Sequence, residues 1–154
     1  MNWCLRKTEH TLSQEVPAAP SQVRAFYADL QNIRLVHPLI VAVRPQARLE
    51  TTDGYTQAYR ITDRIPLGKM VVRISYRARI HVPTHGEVIT EARQFPGVRL
   101  HGTVAFERFD AGTRVVERLC ITAPRPLARL TIRQALDAHV AMLSAICRHF
   151  QSPP

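Results

Sequence analysis

The chain has 154 residues and a mass of 17.5 kDa, with 45% hydrophobic and 21% charged residues and a formal net charge of +9. That length fits one domain, expected to span residues 1–154, and is long enough to bury roughly 70% of the surface its unfolded form exposes. The composition excludes a largely disordered chain, a disulfide scaffold and a two-domain enzyme. Of the 21 basic residues only Lys7 and Lys69 are lysines, a bias spread through the whole sequence rather than gathered in a patch.

The N-terminus, Met1-Asn-Trp-Cys-Leu-Arg-Lys, has no apolar run of signal-peptide length, and no stretch approaches the ~18 apolar residues of a spanning helix. Cys4, Cys120 and Cys147 form no C-x-x-C pair and fit reduced thiols. The expectation is a cytoplasmic protein without integral membrane association.

A first strand is expected near 3–16. Pro20-Ser-Gln-Val-Arg-Ala-Phe-Tyr-Ala-Asp-Leu then places a proline in a first helical turn and Val23, Phe26, Tyr27 and Leu30 on one side. Residues 32–36 suggest a second short helix before His37-Pro38. A strand near 40–50 follows. Glycine-bearing turns at Asp53-Gly54, Leu67-Gly68, His85-Gly86, Pro96-Gly97 and Ala111-Gly112 then delimit strands near 55–65, 69–82, 87–95, 98–109 and 113–122.

The second strand of that series alternates cleanly. Met70, Val72, Ile74, Tyr76, Ala78, Ile80 and Val82 share one face, while Lys69, Arg73, Ser75, Arg77, Arg79 and His81 occupy the other. A period of two predicts a sheet with one buried and one wet side, and the short connections make it an antiparallel meander. From about Leu127 to Phe150 the period becomes helical, with Ile132, Ala135, Leu136, His139, Met142, Leu143, Ile146, Cys147 and Phe150 on one stripe.

Strand, two short helices, six strands and a long terminal helix form an order that resembles the helix-grip fold of the SRPBCC (START/polyketide-cyclase-like) superfamily. Locally, residues 16–30 are similar to its first-strand exit and first helix, His37-Pro38 to the end of its second helix, residues 102–115 to its last hairpin, and Pro124-Arg-Pro-Leu to its entry into the terminal helix. The resemblance covers residues 3 to 150. It implies an α+β architecture, a curved antiparallel sheet of about seven strands around the C-terminal helix, with an apolar cavity between them. Members include polyketide aromatases and cyclases, lipid-transfer domains, hormone binders and chaperone activators, so the fold does not select one activity.

The residues support a cavity separately. Ala78, Gly102, Ala135 and Ala58 are small at positions read as inward, whereas Phe26, Phe106, Tyr59, Tyr76 and Met142 are the groups available to fill the same space. Ile74, Ala78, Phe106, Ala135 and Met142 are the expected apolar walls. His139 sits inside the apolar stripe and should face the sheet, either to orient a ligand oxygen or as a bonded core histidine. Glu117 shares parity with Val115, Leu119 and Ile121, which aims it inward; a bulge would instead turn it out towards Arg108 or Arg118. Tyr59 and Tyr76 are inward on neighbouring strands and offer hydroxyls. His10, in phase with Leu12 and Val16, is a weaker candidate of the same kind.

No H-E-x-x-H, G-x-G-x-x-G or nucleophile elbow occurs, so neither metal nor cofactor is expected. The outer arginines Arg73, Arg77 and Arg79 lack interleaved aromatics and read as a solvated face, not a nucleic-acid surface. The leading reading is a monomer or homodimer that binds, or binds and transports, a small hydrophobic, aromatic or lipidic ligand. The alternatives are a polyketide cyclase/aromatase-type enzyme, promoting aldol cyclisation or dehydration, and an interaction module of toxin or chaperone-activator type.

Overall fold

The computed structural model describes residues 4–151. Chain order is β1 (Leu5–Val16), α1 (Pro20–Ala28), α2 (Leu30–Val36), β2 (Ile40–Thr51), β3 (Gly54–Leu67), β4 (Met70–Pro83), β5 (Val88–Gln94), β6 (Val98–Phe109), β7 (Gly112–Pro124) and α3 (Arg125–Gln151). The seven strands form one curved antiparallel sheet in the order β1-β7-β6-β5-β4-β3-β2. Strands β2 to β7 run as a meander, and β1 closes onto β7 from the far end of the chain.

Each expected element is present with boundaries shifted by a few residues; position 3 of the expected first strand lies outside the described residues. Helix α1 starts on Pro20, and the Gln22 side-chain oxygen accepts a hydrogen bond from the Ala19 N–H at 3.1 Å, half of a capping box. Asp29 separates the two short helices. Its carboxyl oxygen accepts from the Gln31 N–H at 2.9 Å and caps α2. Pro124 ends β7 and Pro126 lies in the first turn of α3, and the Arg125 N–H donates to the Cys4 carbonyl at 2.9 Å, tying the helix start to the sheet edge.

Helix α3 lies over β1 and β7 and against α2. Its C-terminal half supplies Met142, Leu143 and Ile146 to a core that takes Val23, Ile80, Val104 and Val115 from α1 and the sheet. Its N-terminal half covers Leu119, Ile121 and Ala123 of β7 with Ala128 and Ile132. Because the sheet curves and α3 follows the β1–β7 side, the inner faces of β3, β4 and β5 stand away from the helix.

Parity on β4 is as the sequence indicates: Ala78, Ile80 and Val82 are buried, whereas Arg73, Arg77 and Arg79 are exposed. Met70 shares the inner face but is exposed, because the β3–β4 hairpin runs past the helix. Two of the small positions read as inward do not open space. Ala58 pairs with Arg79 on the outer face of β3. Gly102 is inward but crowded: a Cβ there would sit 2.6 Å from Thr90 Oγ1 and 3.3 Å from Leu119 Cδ2, so its neighbours already occupy the space.

Candidate functional site: a cavity between sheet and helix

A cavity of about 340 Å³ lies between α3 and the inner faces of β3 to β6, closed on one side by α1, α2 and the start of β2. Its walls are mostly aliphatic, with Ile61 and Ile65 from β3, Ile74 and Ala78 from β4, Ala92 from β5, Leu100 from β6 and Ala135, Ala138 and Met142 from α3. The volume is within the range of small-molecule sites.

A cluster of polar groups in mutual contact lies at one wall, around His139. Glu117 is fully buried and faces inward, so the ladder carries no bulge there: Glu117 pairs in register with Leu12 and Val104. One carboxyl oxygen meets His139 Nδ1 at 2.5 Å, and the other accepts from the Tyr27 hydroxyl at 2.5 Å. Burial and the neighbouring Glu117 hold the Tyr27 hydroxyl well above its usual pKa, so it stays a donor. Burial alone would lower His139. The charge and hydrogen bond of Glu117, with the charge of Asp63, outweigh it and raise His139 above its ordinary 6.5. With Nδ1 held by Glu117, Nε2 is the ring atom left for the cavity.

His37, Asp63 and Tyr76 also line the cavity. The His37 ring stands perpendicular to that of His139, with centroids 5.7 Å apart. Its Nδ1 accepts from the Leu39 N–H at 3.2 Å, which leaves the proton on Nε2. Burial, then the charge of His139, lowers His37 to about 3, so it is neutral at physiological pH. Asp63 accepts from the Tyr76 hydroxyl at 3.1 Å. Burial raises Asp63 to about 6, against the opposing pull of Tyr76 and His139, and burial beside Asp63 raises Tyr76.

Of the residues expected to form the site, His139, Tyr76, Ile74, Ala78, Ala135 and Met142 line the cavity. Glu117, Tyr59, Phe106 and His10 do not. Glu117 lies behind His139 and reaches the cavity through it. Tyr59 is inward but beyond the cavity's end, where its hydroxyl bonds to the backbone of Leu30. The Phe106 ring packs edge-on against Tyr27 at 5.7 Å and is part of the solid core. His10 is bonded to Thr8 at 2.9 Å on β1, opposite Leu119. Sequence reasoning missed Asp63 and His37. Asp63 has the parity of Tyr59, Ile61 and Ile65, which was the available signal; His37, in the α2–β2 connection, had none beyond its neighbouring proline.

This architecture matches solved structures over nearly its full length. A protein of Thermus thermophilus superposes with a TM-score of 0.74 at 18% identity, covering 94% of this chain and 97% of that one. The aromatase/cyclase ZhuI of Streptomyces sp. R1128 gives 0.73 at 17%, covering 96% and 94%. The fold is of the SRPBCC type. A STAR-related lipid transfer protein from Xanthomonas axonopodis, at 0.69 and 17% over 94% and 86%, shares this SRPBCC fold. No protein-family model matches the sequence, and no curated protein matches it either. Identities this low establish the fold and leave the activity to the site itself.

Proposed function

We propose that this protein binds a small, predominantly hydrophobic ligand, aromatic or lipidic, carrying one polar end, in the cavity between sheet and α3. The observation that carries the reading is a mostly aliphatic lining in which His139, His37, Asp63 and Tyr76 meet in one cluster, the remaining polar lining residues including Thr90, Gln94, Thr131 and Gln134. An apolar body is held by burial, and an oxygen at its end finds the His37 Nε2–H, oriented through Leu39, and the His139 Nε2, oriented by Glu117 and a donor when that ring is protonated. The lipid transfer protein among the structural neighbours is consistent with this use of the fold.

The test is titration with an environment-sensitive apolar dye, N-phenyl-1-naphthylamine, followed by its displacement with candidate ligands. Ala135→Phe places a ring in the cavity and should weaken dye binding at least about tenfold while leaving the melting temperature nearly unchanged. Dye affinity identical in a folded Ala135→Phe variant would overturn the reading.

One observation favours a second reading, an aromatase/cyclase-type enzyme promoting aldol cyclisation or dehydration. Asp63 and His139, whose proton affinities are both raised, face the same cavity and can take and return protons near neutrality. In this version Asp63→Asn would abolish conversion of a short poly-β-keto thioester while leaving dye affinity within about twofold.

A further inference from the structure

The cavity opens where three segments end together: the β3–β4 hairpin, the turn between β5 and β6, and the first turns of α3. Leu67, Phe95, Leu127 and Leu130 from these segments all line it, so they surround one mouth. The Gln134 side-chain amide donates to the Pro66 carbonyl at 3.5 Å, linking helix to hairpin. Around this mouth the apolar side chains point into solvent. Phe95 is 93% exposed at its turn, Met70 is 68% exposed at the hairpin, and Val71, Leu127 and Leu130 are about half exposed. Large apolar groups gathered on one rim mark an interaction site.

The charge on these three segments has one sign. Residues 64–71, 93–99 and 124–134 contain no aspartate or glutamate, and include Lys69, Arg93, Arg99, Arg125 and Arg129. Among the described residues none of these five forms an ion pair. Apolar side chains on protruding turns, flanked by unpaired cations, match the two layers of a lipid surface: acyl chains beneath phosphates.

We propose that this rim docks on an anionic phospholipid bilayer, with Phe95, Met70, Leu127 and Leu130 entering the acyl boundary and the basic residues meeting lipid phosphates. An acidic protein would satisfy the charge. It would not account for apolar groups standing on separate tips around an opening, a shape that suits a deformable apolar phase better than a packed interface. Docking this way turns the mouth towards the acyl chains. A hydrophobic ligand then passes between bilayer and cavity without crossing water, a consequence that rests on the proposed function, whereas docking itself does not.

The experiment is flotation of the full chain with vesicles of phosphatidylcholine alone or with about one-third phosphatidylglycerol, at physiological ionic strength. Binding is expected to the second only. Phe95→Ser, at a side chain that supports no core, should weaken it about tenfold, the loss of one inserted ring. Lys69→Ser combined with Arg125→Ser should weaken it similarly, while Leu49→Ser, exposed on β2 beside Thr56 and so far from the β3–β4 hairpin, should leave it unchanged. No binding to the anionic vesicles would overturn the proposal. Binding that high salt abolishes and Phe95→Ser leaves intact would also overturn it, as adsorption of a basic protein, and so would binding to an acidic protein without binding to vesicles. Dye titration without vesicles reads the cavity separately: vesicle binding without dye binding removes the ligand reading and keeps the docking, and the reverse removes only the docking.

Discussion

Helix α3 and strand β4 each run from a loose end to a solid one. On α3, Leu130 lines the cavity mouth half exposed, while Ile146, sixteen residues on, is fully buried against α1 and the sheet. On β4, Met70 projects into solvent and Ile80 is fully buried. Residues of the same type serve packing at one end and a cavity at the other. The difference comes from separation: α1 and α2 fill the angle between sheet and helix at the solid end, and nothing fills it at the mouth. Between the two zones lies the polar group of Tyr27, Glu117, His139, Asp63 and Tyr76, where neither water nor close apolar packing could satisfy it, and where its members satisfy one another.

The boundary between the zones should be the most sensitive place to mutation. Glu117→Ala removes the partner of both Tyr27 and His139 and leaves two buried polar groups stranded, so it should cost about 3–5 kcal/mol of stability in urea unfolding. A loss below about 1 kcal/mol would mean that the cluster is solvated and the boundary is not where the structure places it.

The two ends of α3 should then differ. Ile146→Ala at the solid end should cost about 2–5 kcal/mol, whereas Leu130→Ala at the mouth should stay within about 0.5 kcal/mol. Equal costs from thermal or urea unfolding would break the comparison.

The smallest net effect in the parent chain is a balance of protons within the polar cluster. His37 is lowered from 6.5 to about 3, so its contribution is present above 6.5 and is lost as pH falls towards 3. Asp63 is raised from 3.8 to about 6, so its contribution is present below 3.8 and is lost as pH rises through 6. Between about pH 4 and 6 the two slopes oppose each other, each up to about 1.4 kcal/mol per pH unit. Asp63→Asn should therefore make stability rise with pH across that window relative to the parent chain, and His37→Leu should make it fall. His139, raised above 6.5, loses its contribution only at higher pH and does not enter the window. Parallel pH profiles for the two variants, measured by urea unfolding, would show that the two opposing shifts are not both present.

Much of this architecture is written in local patterns. The period-two alternation from Met70 to Val82, the glycine turns and the helical stripe from Ile132 to Phe150 report the faces of single elements, and a face is a property of the backbone period. His139 was legible for that reason, and so was the inward parity of Glu117, because β7 keeps its register without a bulge. Their direct pairing was not, since it requires α3 to cross β7 at one particular height. Tyr59 and Phe106 show the same limit from the other side. Both face inward as their patterns say, and both lie in the solid zone, because facing inward and lining a cavity differ only by where the opposing element ends. His37 comes from a connection with no period to read, and only the meeting of α2 with α3 brings its ring to His139. The sequence by itself determined which residues turn away from water. The tertiary structure alone decided which of them meet a neighbour and which face empty space, because that depends on the curvature of the whole sheet and the path of the helix across it, and no local window of residues contains either.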